Sequence, residues 1–445
     1  MKTHHYVHIV LASLPCLVAL APGQALAVPL FARQTGMECS SCHIGSFGPQ
    51  LTSTGRMFKA MGYTMGEKKA LSTYISAMVI AGHEHTRTDV PDPEQGKPNN
   101  NSTVDQVSLF TGGRITDHLG AFSQVTYDPN ARAVALDNTD LRYADTATLG
   151  GKPLIWGVSV NNNPSMQDLW NTTPAWGFPY VSSALAPAPA AESFLDGQAE
   201  AVIGVGGYGL YDNWLYVEYS RYVNIPDRIQ RRIGNGDVSG NDHLTGAGAG
   251  YWRVAAQHTF GDHYVEAGAF GYDGRRYPGN NRDNGSDQIV DQAIDASYQY
   301  APGGSKHIVT ANVTLLHERQ TLRATFAGGG SDNPGNRLNS ARANLSYYYD
   351  NTWGVTVGRF SITGSPDATL YGTPNGKPDS SGYVTQFDVT PFGRSGRWAY
   401  PYVNIRLFVQ LTTYGKFDGL KFNYDGAGRN ASDNNTVFVG LWSAF

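Results

Sequence analysis

Cysteine is scarce in this chain, with three in 445 residues, and Cys16 lies in a stretch that has the features of a secretory signal. Without that stretch only Cys39 and Cys42 remain, so a disulfide framework is excluded. An excess of basic residues is also missing, because the net charge is −4. Nucleic-acid binding is therefore not expected. No phosphate-binding glycine loop, nucleophile triad or zinc-ligand spacing stands out, which disfavours hydrolytic enzymes.

Long apolar runs are absent as well. After residue 27 no stretch approaches the roughly 20 apolar residues of a membrane-spanning helix. Residues 1–27 carry Lys2 near the start, an apolar stretch around Ile9 to Leu20, and Ala25-Leu26-Ala27 as a small-x-small cleavage site. This pattern predicts a signal peptide at 1–27, cleavage before Val28, and export of the mature chain.

Glycine and tyrosine are abundant, with 52 and 26 residues, and many segments alternate apolar and polar side chains. This alternation is typical of β-strands, and the connectors are rich in Asn, Asp and Gly. We predict sixteen strands. They cover 74–86, 104–116, 118–128, 138–149, 153–161, 198–210, 212–223, 248–260, 262–274, 288–301, 305–319, 336–350, 352–363, 381–393, 398–415 and 435–445.

The predicted connections are alternately long and short. Bacterial outer-membrane barrels have long outer loops and short periplasmic turns, so the pattern favours such a barrel over a soluble sandwich. In the fifteenth strand Leu407, Val409 and Leu411 share one face, which lipid would contact, while Phe408 interrupts the polar face. We therefore predict an all-β fold: a sixteen-stranded antiparallel transmembrane barrel over 71–445, preceded by a small helical segment over 28–70.

The segment before the barrel contains Cys39-Ser40-Ser41-Cys42-His43. In a C-x-x-C-H motif the two thiols attach to haem and the histidine ligates its iron. The motif predicts one covalent haem c, bound by Cys39 and Cys42, with His43 as the proximal ligand.

The distal ligand of that haem has several candidates. A short helix capped by Thr52 or Ser53 would place Met57 and Met61 on one face, since they are four residues apart. Methionine is also a common packing residue around such a group. Histidines of the first strand compete for the role, although they also suit the barrel rim. The full set of candidates is Met57, Met61, Met65, His83 and His85.

Arginines predicted to face the lumen are candidates for holding haem propionates through charge-assisted hydrogen bonds. We take Arg114 and Arg342 as these candidates. The alternative is that lumen charges pair with one another. The other predicted inward charges are Arg142, Arg253 and Arg406, with Asp140, Glu266 and Glu318 as possible partners.

The architecture resembles the fused monohaem cytochrome–porins of bacterial outer membranes, whose best-known members are iron oxidases. The resemblance extends to Phe31-Ala32-Arg33-Gln34-Thr35-Gly36-Met37 before the motif, and to Gly55, Arg56, Phe58, Lys59 and Gly62-Tyr63 after it. It implies electron transfer between an extracellular donor, such as ferrous iron, and a soluble periplasmic carrier such as a cytochrome. It also suggests that the third long connection, 162–197, folds into the channel.

Two functions remain open from the sequence. The first is an electron conduit, with no catalytic side chain assigned, which would make the protein an oxidoreductase between iron and a cytochrome. The second is a solute porin in which haem forms a structural plug or a redox-sensing gate. The position of the haem, in the lumen or below the barrel, is also open.

Overall fold

The computed structural model describes residues 30–91, 93, 95–130, 132–171, 177–234, 238, 240–303 and 306–445. The predicted signal peptide, with Cys16, lies outside the described residues. No helix in the described ranges is both long enough and apolar enough to cross a membrane.

Sixteen antiparallel strands form a closed barrel, in which each strand pairs with its neighbours in chain order and the first pairs with the last. The predicted fold class is confirmed. The strands are β1 (Ile75–Thr86), β2 (Asn101–Arg114), β3 (Leu119–Asp128), β4 (Ala133–Leu149), β5 (Lys152–Asn161), β6 (Val202–Tyr211), β7 (Leu215–Asn224), β8 (His243–Phe260), β9 (His263–Tyr277), β10 (Asp287–Tyr300), β11 (His307–Thr321), β12 (Gly335–Tyr349), β13 (Trp353–Gly364), β14 (Ser380–Val389), β15 (Asn404–Lys416) and β16 (Thr436–Ala444).

The outer face of the barrel is apolar, as the alternation predicts. On β15, Leu407, Val409 and Leu411 are 43 to 50% exposed, whereas Arg406 is 1% exposed. Phe408 points inward beside Gly440, and a Cβ at that glycine would lie 2.1 Å from the Phe408 ring. The missing side chain at Gly440 thus makes room for the aromatic ring that interrupts the polar face. An apolar outer surface of this kind contacts membrane lipid.

Six short α-helices accompany the strands in the part of the chain that the structure describes. Three of them precede β1 and three lie in connections at the long-loop end of the barrel, where β1 finishes. They are α1 (Leu30–Thr35), α2 (Cys39–Cys42), α3 (Ser53–Ala60), α4 (Asp227–Arg232), α5 (Arg323–Ala327) and α6 (Ala368–Tyr371).

One connection at the short-turn end is longer than predicted. The sequence predicts strands to residue 393 and from residue 398, but β14 ends at Val389 and β15 begins at Asn404. Both predicted extensions contain proline, Pro391 and Pro401, which cannot donate a hydrogen bond to a strand ladder. Residues 390–403, the β14–β15 connection, therefore cross the mouth of the barrel instead.

Residues 30–74, the plug segment, lie inside the lumen. Wall residues from distant strands donate hydrogen bonds to its backbone: Arg142 Nη1 to Lys59 O at 2.9 Å, Tyr208 Oη to Ala60 O at 2.6 Å, and Arg406 Nη2 to Phe47 O at 2.8 Å. The segment also contacts a short turn, where Gly45 N donates to Asn351 Oδ1. The plug segment thus closes the barrel near its short-turn end.

Candidate functional site

The two motif cysteines lie on helix α2, which is one turn long. Both side chains are half-buried, and neither forms a disulfide. Burial raises the pKa of the Cys39 thiol to about 12 and that of the Cys42 thiol to about 11. The thiols are therefore protonated at neutral pH in the polypeptide alone.

His43 follows directly, and its backbone N–H donates to Cys39 O at 2.8 Å. Its ring nitrogen Nδ1 is buried and has no hydrogen-bond partner among the described residues. Burial lowers the pKa of His43 to about 4, so the ring is neutral at pH 7. Two thiols that form no disulfide and a neutral imidazole beside them fit the covalent attachment and the iron ligation of a c-type haem.

Helix α3 packs directly against the backbone of the motif. Thr52 caps this helix by accepting a hydrogen bond from Gly55 N, as the sequence predicts, and Thr52 Oγ1 donates to Ser41 O at 2.5 Å. Gly55 packs on the backbone of Cys42, where a Cβ would lie 2.3 Å from the carbonyl oxygen. A glycine at this position brings the two helices into direct backbone contact.

The three candidate methionines lie in the plug segment and differ in their surroundings. Met57 is half-buried and borders a cavity between helix α3 and the wall, next to Trp214 and Tyr264. Met61 is the C-cap of α3. The Met65 carbonyl accepts a hydrogen bond from Gln34 Nε2 at 2.7 Å. Of the three, Met57 is the one that faces this cavity.

His83 and His85 lie on the outer face of the barrel. Each is opposite an outward-facing valine of β16, Val439 and Val437 respectively, and both are exposed. His83 Nδ1 is 2.8 Å from Ser102 Oγ, on the neighbouring strand. The barrel wall separates these histidines from the lumen, so the structure does not bring them to His43.

Neither selected arginine contacts the motif. Arg114 donates to the carbonyl oxygens of Thr64 and Gly66 and pairs with Asp117 at 2.6 Å. Arg342 lies in the lumen, 4.0 Å from Asp196. A different predicted inward arginine, Arg406, lies beside the segment that follows the motif, where it donates to Phe47 O.

Several lumen charges pair with one another, which is the alternative considered from the sequence. Arg142 pairs with Asp140 at 2.6 Å, and Arg253 pairs with Glu266 at 2.8 Å. All four of these side chains are fully buried. Arg253 also pairs with Asp295 on the next strand at 2.8 Å. These pairs tie neighbouring strands and the plug segment together rather than leaving charge free for a ligand.

The described parts of the connection 162–197, residues 162–171 and 177–197, fold into the lumen, as expected; Trp176 lies outside the described residues. Lys59 Nζ of the plug segment donates to Asp168 O at 2.5 Å and to Asn171 Oδ1 at 2.7 Å. Trp170 is buried and donates to Tyr264 Oη of the wall at 2.5 Å. The inserted connection therefore packs on the outer side of the plug segment.

A second cavity remains between the plug segment, the inserted connection and strands β10 to β12. Its lining is mixed and includes polar side chains of the wall and aromatic side chains of the inserted connection. Members are Gln50, Trp170, Phe178, Tyr180, Asp196, Asn312, Arg342 and Asn344. Arg342, a predicted propionate ligand, lines this cavity.

The β14–β15 connection is the part of the site that sequence reasoning missed. Gly393 O accepts from Ser40 N at 3.3 Å, and Tyr400 Oη donates to Met37 O at 2.9 Å. Ser395 Oγ donates to Glu38. The available signal was Pro391 and Pro401, which argue against strand at both predicted ends.

Comparisons with known proteins found distant structural similarity. No protein-family model and no curated protein matches the chain. Similar solved structures include the channel DcaP of Acinetobacter baumannii (10% identity, 83% of this chain and 96% of that chain, TM-score 0.47), an anion-selective porin from Comamonas acidovorans (12%, 83% and 99%, 0.43) and OmpT of Vibrio cholerae (11%, 83% and 96%, 0.41). At this level of similarity they carry no inference about activity. The closed barrel and its apolar outer face define a porin-like bacterial outer-membrane protein that contacts membrane lipid.

Proposed function

We propose that this protein is an outer-membrane electron-transfer protein of the cytochrome–porin type. One haem c is attached through Cys39 and Cys42, with His43 as its proximal ligand. Electrons pass from an extracellular reduced donor, such as ferrous iron, to a soluble periplasmic carrier such as a cytochrome. The donor loses one electron and the carrier gains one.

The observation that carries the proposal is the position of the motif inside a closed barrel. A free C-x-x-C-H segment of about 45 residues is too small to bury a sizeable core alone, but here the wall supplies one. Ile44, the residue after the motif histidine, is buried with Ile308 and Tyr348 of the wall. The plug segment is thereby held on the path between the two aqueous compartments.

When bound, haem supplies an iron that cycles between ferrous and ferric states. The polypeptide provides the rest of the site. Cys39 and Cys42 fix the position of the group, and His43 offers a neutral nitrogen to the metal. Helix α3 holds the motif through Thr52 and Gly55. The wall excludes bulk water from the inner side of the segment.

Covalent attachment is tested first. The chain is expressed with the haem-attachment machinery, and the denatured protein is separated and stained for haem. We expect a haem-positive band for the wild type and a loss of staining for the double variant Cys39→Ala/Cys42→Ala. A matched control, Ser40→Ala/Ser41→Ala, should keep the stain. A colourless wild type would overturn the proposal.

Transfer across the membrane is tested in vesicles. Purified protein is reconstituted with an oxidised soluble cytochrome inside and ferrous iron outside. We expect reduction of the enclosed cytochrome only when the haem-loaded protein is present, and none with the double cysteine variant. Haem that attaches but leaves the enclosed cytochrome oxidised, with ferrous iron and with other one-electron donors, would contradict the conduit.

A solute channel is the second candidate, and the cavity lined by Arg342 and Asn344 favours it. If this cavity belongs to a permeation path, the single-channel conductance of the wild type should be measurable in a planar bilayer. Arg342→Ala, which widens the cavity, should then raise it. If neither protein gives a measurable conductance, this candidate is excluded. A conductance that changes with the redox state of the haem would indicate a gate.

A further inference from the structure

The β14–β15 connection is the longest of the connections at the short-turn end, and it lies over the motif. It is joined to the plug segment at three neighbouring positions: Gly393 to Ser40, Ser395 to Glu38, and Tyr400 to Met37. A Cβ at Gly393 would lie 2.2 Å from Ser46 Cβ, so the packing is close. The connection and helix α2 therefore hold a fixed relation to each other.

Between two of these contacts the connection presents side chains to solvent. Trp398 is 86% exposed, the largest exposed fraction of any large apolar side chain in the described chain, and Arg397 beside it is also exposed. The Trp398 ring is not loose, because it packs edge-on against Phe392 with 5.1 Å between centroids. The connection that is hydrogen-bonded to the motif helix thus carries an exposed indole held in a defined orientation.

The chemistry of these side chains matches the group that the proposed function attaches there. A porphyrin has a broad apolar face, which an indole covers well. It also has two propionate carboxylates, which guanidinium groups bind through paired N–H donors. The neighbouring Arg394 forms an ion pair with Asp350. Arg397, in contrast, is exposed to solvent beside Trp398.

Resting on the proposed function, we infer that the β14–β15 connection is the cover of the attached haem, with Trp398 over the porphyrin face and Arg397 binding a propionate. These residues replace Arg114 and Arg342 in that role. The cover shields the group from periplasmic water at the mouth where the half-buried thiols lie.

The test of Trp398 is a redox titration of purified haem-loaded protein. Trp398→Ala admits water to the group, and water stabilises the more highly charged ferric state, so we expect the reduction potential to fall. Haem content, measured after denaturation, should stay at the wild-type level because the thiols are unchanged. Trp353→Ala is the control, since Trp353 is 49% exposed on β13 at the same rim but faces outward against Phe387.

Substitutions that remove or keep the positive charge at Arg397 test its role. Arg397→Gln removes a positive charge near the propionates and should lower the reduction potential, while Arg397→Lys should restore part of the shift. Lys152→Gln is the control, because Lys152 pairs with Asp212 on a turn elsewhere on the rim. Its potential should equal that of the wild type.

The outcomes separate the two claims. If the wild type carries no covalent haem, the proposed function fails and the cover has nothing to act on. If haem is attached but the Trp398→Ala and Arg397→Gln potentials equal that of the wild type, the cover is overturned and the proposed function stands. The same holds if these variants slow only the delivery of electrons to a soluble cytochrome, since the connection would then be a docking surface.

Discussion

Gly55 packs so closely against the carbonyl oxygen of Cys42 that a methyl group at Gly55 would lie 2.3 Å from that oxygen. The contact joins helix α3 to the motif helix without any side chain between them. The position of both cysteines therefore depends on Gly55, a residue without a side chain.

Gly55→Ala should displace the motif helix. Overpacking of this kind costs about 1–3 kcal/mol, and we expect a lower haem content together with faster proteolysis of the plug segment. Gly246→Ala is the matched control, because a Cβ at Gly246 meets nothing within 4 Å. Wild-type haem content and protease resistance in Gly55→Ala would contradict the role of this contact.

The buried pair Arg142–Asp140 should stabilise the seated plug segment. Both side chains are fully buried, and Arg142 also donates to Lys59 O. Arg142→Met leaves a buried carboxylate without its partner, which costs about 3–5 kcal/mol. We expect a lower thermal unfolding temperature in detergent. Adding Asp140→Asn should recover part of the loss, and a double variant no better than the single one would refute this explanation.

Met57 should be the distal haem ligand, because it borders the open cavity beside helix α3. Methionine ligation raises the reduction potential relative to histidine ligation. Met57→Ala should therefore lower the potential and abolish the absorption band typical of methionine-bound ferric haem. Met65→Ala is the control. If Met61→Ala alone removes the band, Met61 is the ligand instead.

Lipid contact on the outer face is tested at Val409, in the middle of β15, where the side chain is 46% exposed. An arginine near the bilayer midplane costs about 2–4 kcal/mol in such barrels, and about 0–1 near the interfaces. Val409→Arg should therefore fold into vesicles with a reduced free energy of unfolding. Leu149→Arg, at the last position of β4 beside a short turn, should be almost neutral. Equal effects at both sites would argue against a lipid-facing β15.

The barrel was accessible from the sequence because each strand has a period of two and one apolar face. The prediction was wrong between β14 and β15, where the predicted strands continue over 390–393 and 398–403 but the ladder ends at Val389 and resumes at Asn404. Pro391 and Pro401 in these two extensions were the evidence against a strand.

Only part of the candidate site could be predicted from the sequence. The C-x-x-C-H motif identifies Cys39, Cys42 and His43 because its spacing is local. The positions of Arg114 and Arg342 depend on contacts between residues far apart in sequence, as with Arg114 and Gly66. Which face of a strand a histidine occupies is fixed by register, so His83 and His85 could be placed only once their partners on β16 were known.

The seam between β1 and β16 is packed from inside by the plug segment. Phe47 stacks edge-on against Trp442 of β16 with 4.8 Å between centroids, and Trp442 Nε1 donates to Met78 Sδ of β1 at 2.7 Å. The plug segment and the pairing of the first strand with the last therefore stabilise each other. Loss of the Phe47 ring should weaken the one strand pair that no turn connects.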